Sequence, residues 1–103
     1  VVGATGAVGR EMIRTLEERS VPVDELLPLA SSRSAGTSVT FRAEPYQVRE
    51  LSLELLRGVD VALVSAGASV SRSFIPEAAA NGTVCIDNSS AFRMKDGIPL
   101  VVP

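Results

Sequence analysis

The feature that most constrains this chain is a run of three glycines at three-residue spacing, Gly3-Ala4-Thr5-Gly6-Ala7-Val8-Gly9. Val1-Val2 before it has the character of a strand end. After it, Val8, Met12, Ile13 and Leu16 recur at helical spacing, while Arg10, Glu11, Arg14, Glu17 and Glu18 can face water. That pattern predicts an amphipathic helix over 8–19, stopped by Ser20-Val21-Pro22. In a strand–turn–helix unit Gly3 permits the tight turn and Gly6 lets backbone approach a pyrophosphate. Gly9 lets the helix pack on the sheet. The helix start offers unpaired N–H groups and a partial positive charge to phosphates. G-x-x-G-x-x-G is a variant of the dinucleotide fingerprint. A plain glycine turn is the blander reading, and the flanking strand and helix favour the nucleotide.

Further along, 26–30 predicts a short strand in which Pro28 removes a ladder donor and so sits where pairing is incomplete. Residues 31–38 form a polar loop. Short strands at 39–41 and 46–48 flank Glu44-Pro45, and 50–57 holds one or two helical turns ending at Gly58. The apolar runs 59–65 and 83–86 suit strands buried on both faces. A helix over 71–80 closes at Asn81-Gly82, with Pro76 tolerable only near its start or at a kink. Residues 87–90 form a loop, and 100–102 starts a further strand. This order predicts one α/β, Rossmann-like domain over 1–103, with a mainly parallel sheet and helices on both faces. Both ends look truncated: the chain begins without Met at a strand end and stops at the apolar Val101-Val102-Pro103. It is therefore expected to be an N-terminal segment of a longer protein.

Composition narrows the chemistry. The chain has 103 residues, 46% apolar and 21% charged, enough for one core. A net charge of −2 argues against broad nucleic-acid or anionic-membrane binding. No apolar run approaches a membrane span, and no signal peptide is read at the start. There is no His, the commonest general base and metal ligand. The single Cys85 excludes an internal disulfide and a multi-thiol metal site, so no metal is expected. Lying mid-strand between Val84 and Ile86, Cys85 suits a small hydrophobe better than a nucleophile. No thiol–imidazole pair can form within the chain, so a complete enzyme of that type is not expected.

Three more segments carry candidate chemistry. After the second strand an NAD site usually places an acid on the ribose; here Ser31-Ser32-Arg33-Ser34 offers none. Arg33 with flanking hydroxyls suits the 2′-phosphate of NADP, though alone it would be an ordinary loop Arg. Ser65-Ala66-Gly67-Ala68 follows a central strand, where small residues leave room for a cofactor. A tight strand–helix turn needs the same Gly. Asp87-Asn88-Ser89-Ser90-Ala91-Phe92-Arg93 could converge on an anion, while pattern alone favours an Asx/Ser turn with a surface Arg.

Taken together these blocks resemble aspartate-β-semialdehyde dehydrogenase, N-terminal part, essentially from end to end. The blocks are the glycine run, Leu29-Ala30-Ser31, Arg33-Ser34-Ala35-Gly36, Ser65-Ala66-Gly67, 86–93 and 99–103. The resemblance implies that Thr5, Gly6, Ala7 and Val8 form an NADP pyrophosphate loop. It implies that Arg33 and Ser34 contact the adenosine 2′-phosphate and that Ser65, Ala66 and Gly67 line the cofactor. Arg93, with Asn88 in the same motif, would hold the substrate phosphate or inorganic phosphate. The family's catalytic Cys and His match nothing in this chain. The implied reaction interconverts β-aspartyl phosphate and aspartate semialdehyde, in lysine, methionine and threonine biosynthesis. A cytoplasmic homodimer or homotetramer is implied for the full-length protein. N-acetyl-γ-glutamyl-phosphate reductase shares this fold and chemistry, and a non-catalytic nucleotide-binding relative would fit the same residues. Arg33-Ser34-Ala35-Gly36 and Asn88-Ser89-Ser90 favour the first reading.

Overall fold

The computed structural model describes residues 1–89 and 91. Its centre is the short extended stretch at Val2, which bridges Leu29 on one side and Val64 on the other, both in parallel. Around it lie β1 (Leu29–Ala30), β4 (Arg49–Glu50), β5 (Val61–Val64) and β6 (Val84–Asp87). β1 pairs with β4, and β5 with β6, each in parallel. The sheet order is therefore β4–β1–Val2–β5–β6. The chain winds outward from Val2 first to one edge and then to the other, as in doubly wound folds. The expected Rossmann-like architecture is what forms.

Helix α1 (Ala7–Glu18) links Val2 to β1, α2 (Leu53–Leu56) links β4 to β5, and α3 (Ala68–Ala80) links β5 to β6. The core divides in two. Val2, Leu29, Ala62 and Val64 pack against Leu56 and Ala78, with Phe74 and Ile75 beside them. Ala4, Ile13, Leu26 and Phe41 form a second cluster, joined by Val1. Successive strand residues point to opposite faces. Val2 thus faces α2 and α3, while Val1 faces α1, and helices lie on both faces as expected.

Three expectations need correction. The runs 59–65 and 83–86 are not buried on both faces. Ala62 and Val64 are buried, but Val61, Val84 and Ile86 are 52, 59 and 55% exposed. The reason is that α1 packs beside β1 with the hairpin of β2 (Ser38–Phe41) and β3 (Glu44–Gln47), leaving the outer face of β5 and β6 uncovered by any described residue. The hairpin turn is Arg42-Ala43 rather than Glu44-Pro45, because Phe41 pairs with Glu44 and Thr40 with Pro45. Both turn residues have positive φ, 52° and 64°, the two-residue geometry whose twist matches the flanking strands. Pro76 lies well inside α3, since that helix starts at Ala68 and not at 71. The expected strand at 100–102 lies outside the described residues. Pro28 precedes β1, and only its carbonyl serves the ladder, accepting from Arg49 N–H at 3.1 Å.

Candidate functional site

The glycine run sits at the carboxyl edge of the sheet, beside the point where the chain's direction of winding reverses. Gly3 has φ +85°, and a Cβ there would stand 2.7 Å from the Ser65 carbonyl oxygen. A Cβ on Gly9 would stand 2.0 Å from the Gly3 oxygen. Gly3 is therefore pressed against the end of β5, and α1 against Gly3. Gly6 differs: its φ is −76°, and its nearest neighbour to a Cβ is 3.5 Å away. Nothing within the fold demands a glycine there, which leaves open space outside the loop.

Two further sequence signals come to the same edge. Thr5 Oγ1 donates to Ser34 Oγ at 3.2 Å, tying the glycine loop to the loop after β1. That second loop is self-bonded: Ser34 N–H donates to Ser31 O, and Thr37 Oγ1 donates to Ser34 O at 2.7 Å. Ser65 N–H donates to Val2 O at 2.9 Å, and Ser65 Oγ to the same oxygen at 3.4 Å. Ala66 packs against the first core cluster, and Gly67 heads α3 with φ +93°.

Neither α1 nor α3 has a side-chain cap, and neither has an acid in its first turn. The first N–H groups of a helix have no intrahelical partner. Two uncapped helix starts thus open on one edge, the environment an anion requires. Ala7 and Val8 open α1; Val8 was expected on its apolar face but is 48% exposed and not packed in the core. Beside the loop lies a cleft of about 620 Å³ that Thr5, Arg33 and Ser34 line together with Thr37 and Arg10. The last two were not foreseen: Thr37 stood in an unremarkable polar loop, and Arg10 looked like a solvent-facing helix residue.

The sequence model of the family described as "Semialdehyde dehydrogenase, NAD binding domain" matches residues 1–103. The chain belongs to this family. It is 55% identical over 103 residues to an aspartate-semialdehyde dehydrogenase of Bacillus subtilis, covering all of this chain and 30% of that protein. It is 52% identical over 104 residues to one of Aquifex aeolicus, covering 100% of this chain and 31% of the relative. A crystal structure of aspartate semialdehyde dehydrogenase II from Vibrio cholerae, complexed with ASA, superposes with a TM-score of 0.91 at 46% identity. That match covers 99% of this chain and 33% of the other. The chain thus spans about a third of the length of its relatives.

Within this semialdehyde dehydrogenase nucleotide-binding domain, the end of β6 holds a second polar assembly. Asp87 Oδ1 accepts from the fully buried Ser71 Oγ at 2.9 Å and from Ser89 N–H at 3.1 Å; Oδ2 accepts from Ser89 Oγ at 2.6 Å. Asp87 thereby clamps the loop after β6 to α3. Ser71 carries no sequence signal for this role, because a helical Ser looks solvent-facing until the helix's buried side is known. Asn88 N–H donates to Val64 O at 3.1 Å, placing Asn88 at the same carboxyl edge. Ser90 and Arg93 lie outside the described residues.

Cys85 lies in β6 against the first core cluster. Burial, and then the neighbouring Asp87 charge, push its thiol above the usual range, the opposite of what activates a nucleophile. Among the described residues no group of three or more Cys, Asp or Glu could hold a metal ion. No helix among them is long and apolar enough to cross a membrane.

Proposed function

We propose that residues 1–103 form the NADP-binding domain of an aspartate-semialdehyde dehydrogenase. The observation that carries this reading is the Thr5–Ser34 hydrogen bond, which joins the glycine loop to the Arg33 loop along one cleft. A pyrophosphate would lie on the Thr5–Val8 loop at the uncapped start of α1, with Ser65, Ala66 and Gly67 along its flank. The 2′-phosphate would meet Arg33 and Ser34. NADP, when bound, supplies the hydride acceptor. The named relatives support the substrate: aspartate semialdehyde and phosphate give β-aspartyl phosphate, with NADP reduced to NADPH and one proton released. The acyl-carrying thiol would come from outside this chain, since Cys85 is a core residue. Arg93, with Asn88 on the carboxyl edge, would hold the substrate phosphate, because a guanidinium fork matches two phosphate oxygens. The complete protein would be a cytoplasmic homo-oligomer.

The test is cofactor titration of the complete protein with NADP and NAD, combined with a semialdehyde- and phosphate-dependent NADPH assay. Arg33→Asp should weaken NADP by about 1.5–3 kcal/mol, the scale of one charged hydrogen bond, and NAD much less. Equal loss for both cofactors would remove Arg33 from the 2′-phosphate. No NADPH formation by the unaltered complete protein would overturn the activity.

A further inference from the structure

We propose that Arg10, at the end of the first turn of α1, is a second phosphate-binding and specificity-determining residue, sharing the cleft with Arg33 to hold the cofactor's 2′-phosphate. This rests on the NADP reading above and adds a residue to it.

Arg10, Ile13, Arg14 and Glu17 follow one another at helical i, i+3, i+4, i+7 spacing, so they form one stripe of α1. All four line the cleft, as do Arg33, Ser34, Thr37 and Thr40. Ile13 is buried and anchors the stripe. The charges on the stripe are not equivalent. Arg14 is paired with Glu11 and Glu18. Glu17 Oε1 accepts from Arg42 N–H at 2.6 Å, towards the hairpin end of the cleft. Among the described residues, the Arg10 and Arg33 guanidinium groups have no hydrogen bond and no ion pair.

Two uncompensated guanidinium groups therefore line one concavity, which Thr5, Ser34, Thr37 and Thr40 also line. Like charges in one cleft repel, and an anion between them converts that repulsion into binding. The pyrophosphate has its own donors in the backbone of the glycine loop. The remaining anion of this cofactor class is the 2′-phosphate, a monoester carrying about −1.5 to −2 charges near neutral pH. One Arg neutralises part of that charge; two match it. The Ser34 and Thr40 hydroxyls on the same lining suit the remaining oxygens, since the Thr5 and Thr37 hydroxyl protons are already donated within the loop.

The experiment is titration of the complete protein with NADP and, separately, NAD, for the unaltered protein, Arg10→Ala, Arg10→Lys and Arg33→Ala. Arg10 is exposed and unpartnered among the described residues, so Arg10→Ala should leave the circular-dichroism spectrum unchanged. Expected is an NADP affinity about 10- to 100-fold lower in Arg10→Ala, the range for one charged hydrogen bond, with NAD within about 2-fold. Arg10→Lys should recover part of the loss, because it keeps the charge and not the fork. Unchanged NADP affinity in Arg10→Ala, with Arg33→Ala still impaired, overturns the role of Arg10 and leaves the NADP reading standing. Equal weakening towards both cofactors also overturns it, placing Arg10 on a moiety they share. An unaltered protein without preference for NADP overturns the underlying reading and this inference together.

Discussion

Two glycines three residues apart, one before α1 and one in its first turn, hold their positions for different reasons. A methyl group on Gly9 would meet the Gly3 oxygen at 2.0 Å, the Gly3 carbonyl carbon at 2.7 Å and Ala4 Cα at 2.9 Å, all backbone atoms. None can yield as a flexible side chain would, so Gly9→Ala should push α1 off the loop. A loss of about 1–3 kcal/mol is expected, as for overpacking, together with weaker nucleotide binding. Gly6 has an ordinary extended backbone, φ −76° and ψ 167°, and no close neighbour. Gly6→Ala should therefore keep stability within about 0.5 kcal/mol and still lose cofactor affinity, because the added methyl enters the space that the proposed reading gives to the phosphates. Urea denaturation and NADP titration of both variants separate the two roles. A Gly6→Ala protein that binds NADP normally would show that no ligand approaches that backbone closely.

At the scale of elements, the strands and helices built on local signals were legible. The α1 periodicity and its stop at Ser20 are read almost to the residue, as is the Asn81-Gly82 end of α3, because periodicity and caps are local. The hairpin turn was not legible. Pro45 is usually a turn residue, yet here it pairs with Thr40, while Arg42 and Ala43 take the positive φ that Gly or Asn would normally supply. Tertiary contacts hold that turn: Arg42 N–H donates to Glu17, its guanidinium donates to the Val21 carbonyl, and it lies 4.6 Å from the Phe41 ring centroid. Ala43 has no such compensation in its side chain. Left-handed backbone costs a residue with a Cβ about 1 kcal/mol relative to glycine. Ala43→Gly is accordingly expected to raise the stability of the chain by about 0.5–1 kcal/mol, read as a higher urea midpoint at unchanged slope. A fall in midpoint would mean that the Ala43 methyl packs in solution. The glycine turn and the loops after β1 and β5 were legible for the same local reason as α1. The Asp87–Ser71 clamp and Arg10 were not, since each depends on which elements the topology brings together.

At the scale of the molecule, one sheet has two unlike faces. Against α2 and α3 the packing is dense: Leu29 and Val2 are almost wholly buried, with Ala62 and Val64 beside them. On the opposite side Val61, Val84 and Ile86 stand more than half exposed, although parallel sheets ordinarily bury both faces. The sequence recorded the apolar character of both faces, but it could not record that α1 would be drawn towards the hairpin by Phe41 and Leu26. The two faces should therefore respond oppositely to substitution in the 103-residue chain. Leu29→Ala removes side-chain atoms from the first core cluster, where Leu29 packs with Val2, and should cost about 2–5 kcal/mol. Val61→Thr, Val84→Thr and Ile86→Thr together keep β-branched side chains at strand positions. They remove apolar surface that water already reaches, so each should change stability by no more than about 0.5 kcal/mol. The same triple substitution should reduce self-association, because it breaks up a contiguous exposed apolar patch. Chemical denaturation measures the first effect and sedimentation velocity the second. A triple variant that lost several kcal/mol at monomer concentrations would show that this face is packed in solution, contrary to its exposure in the fold.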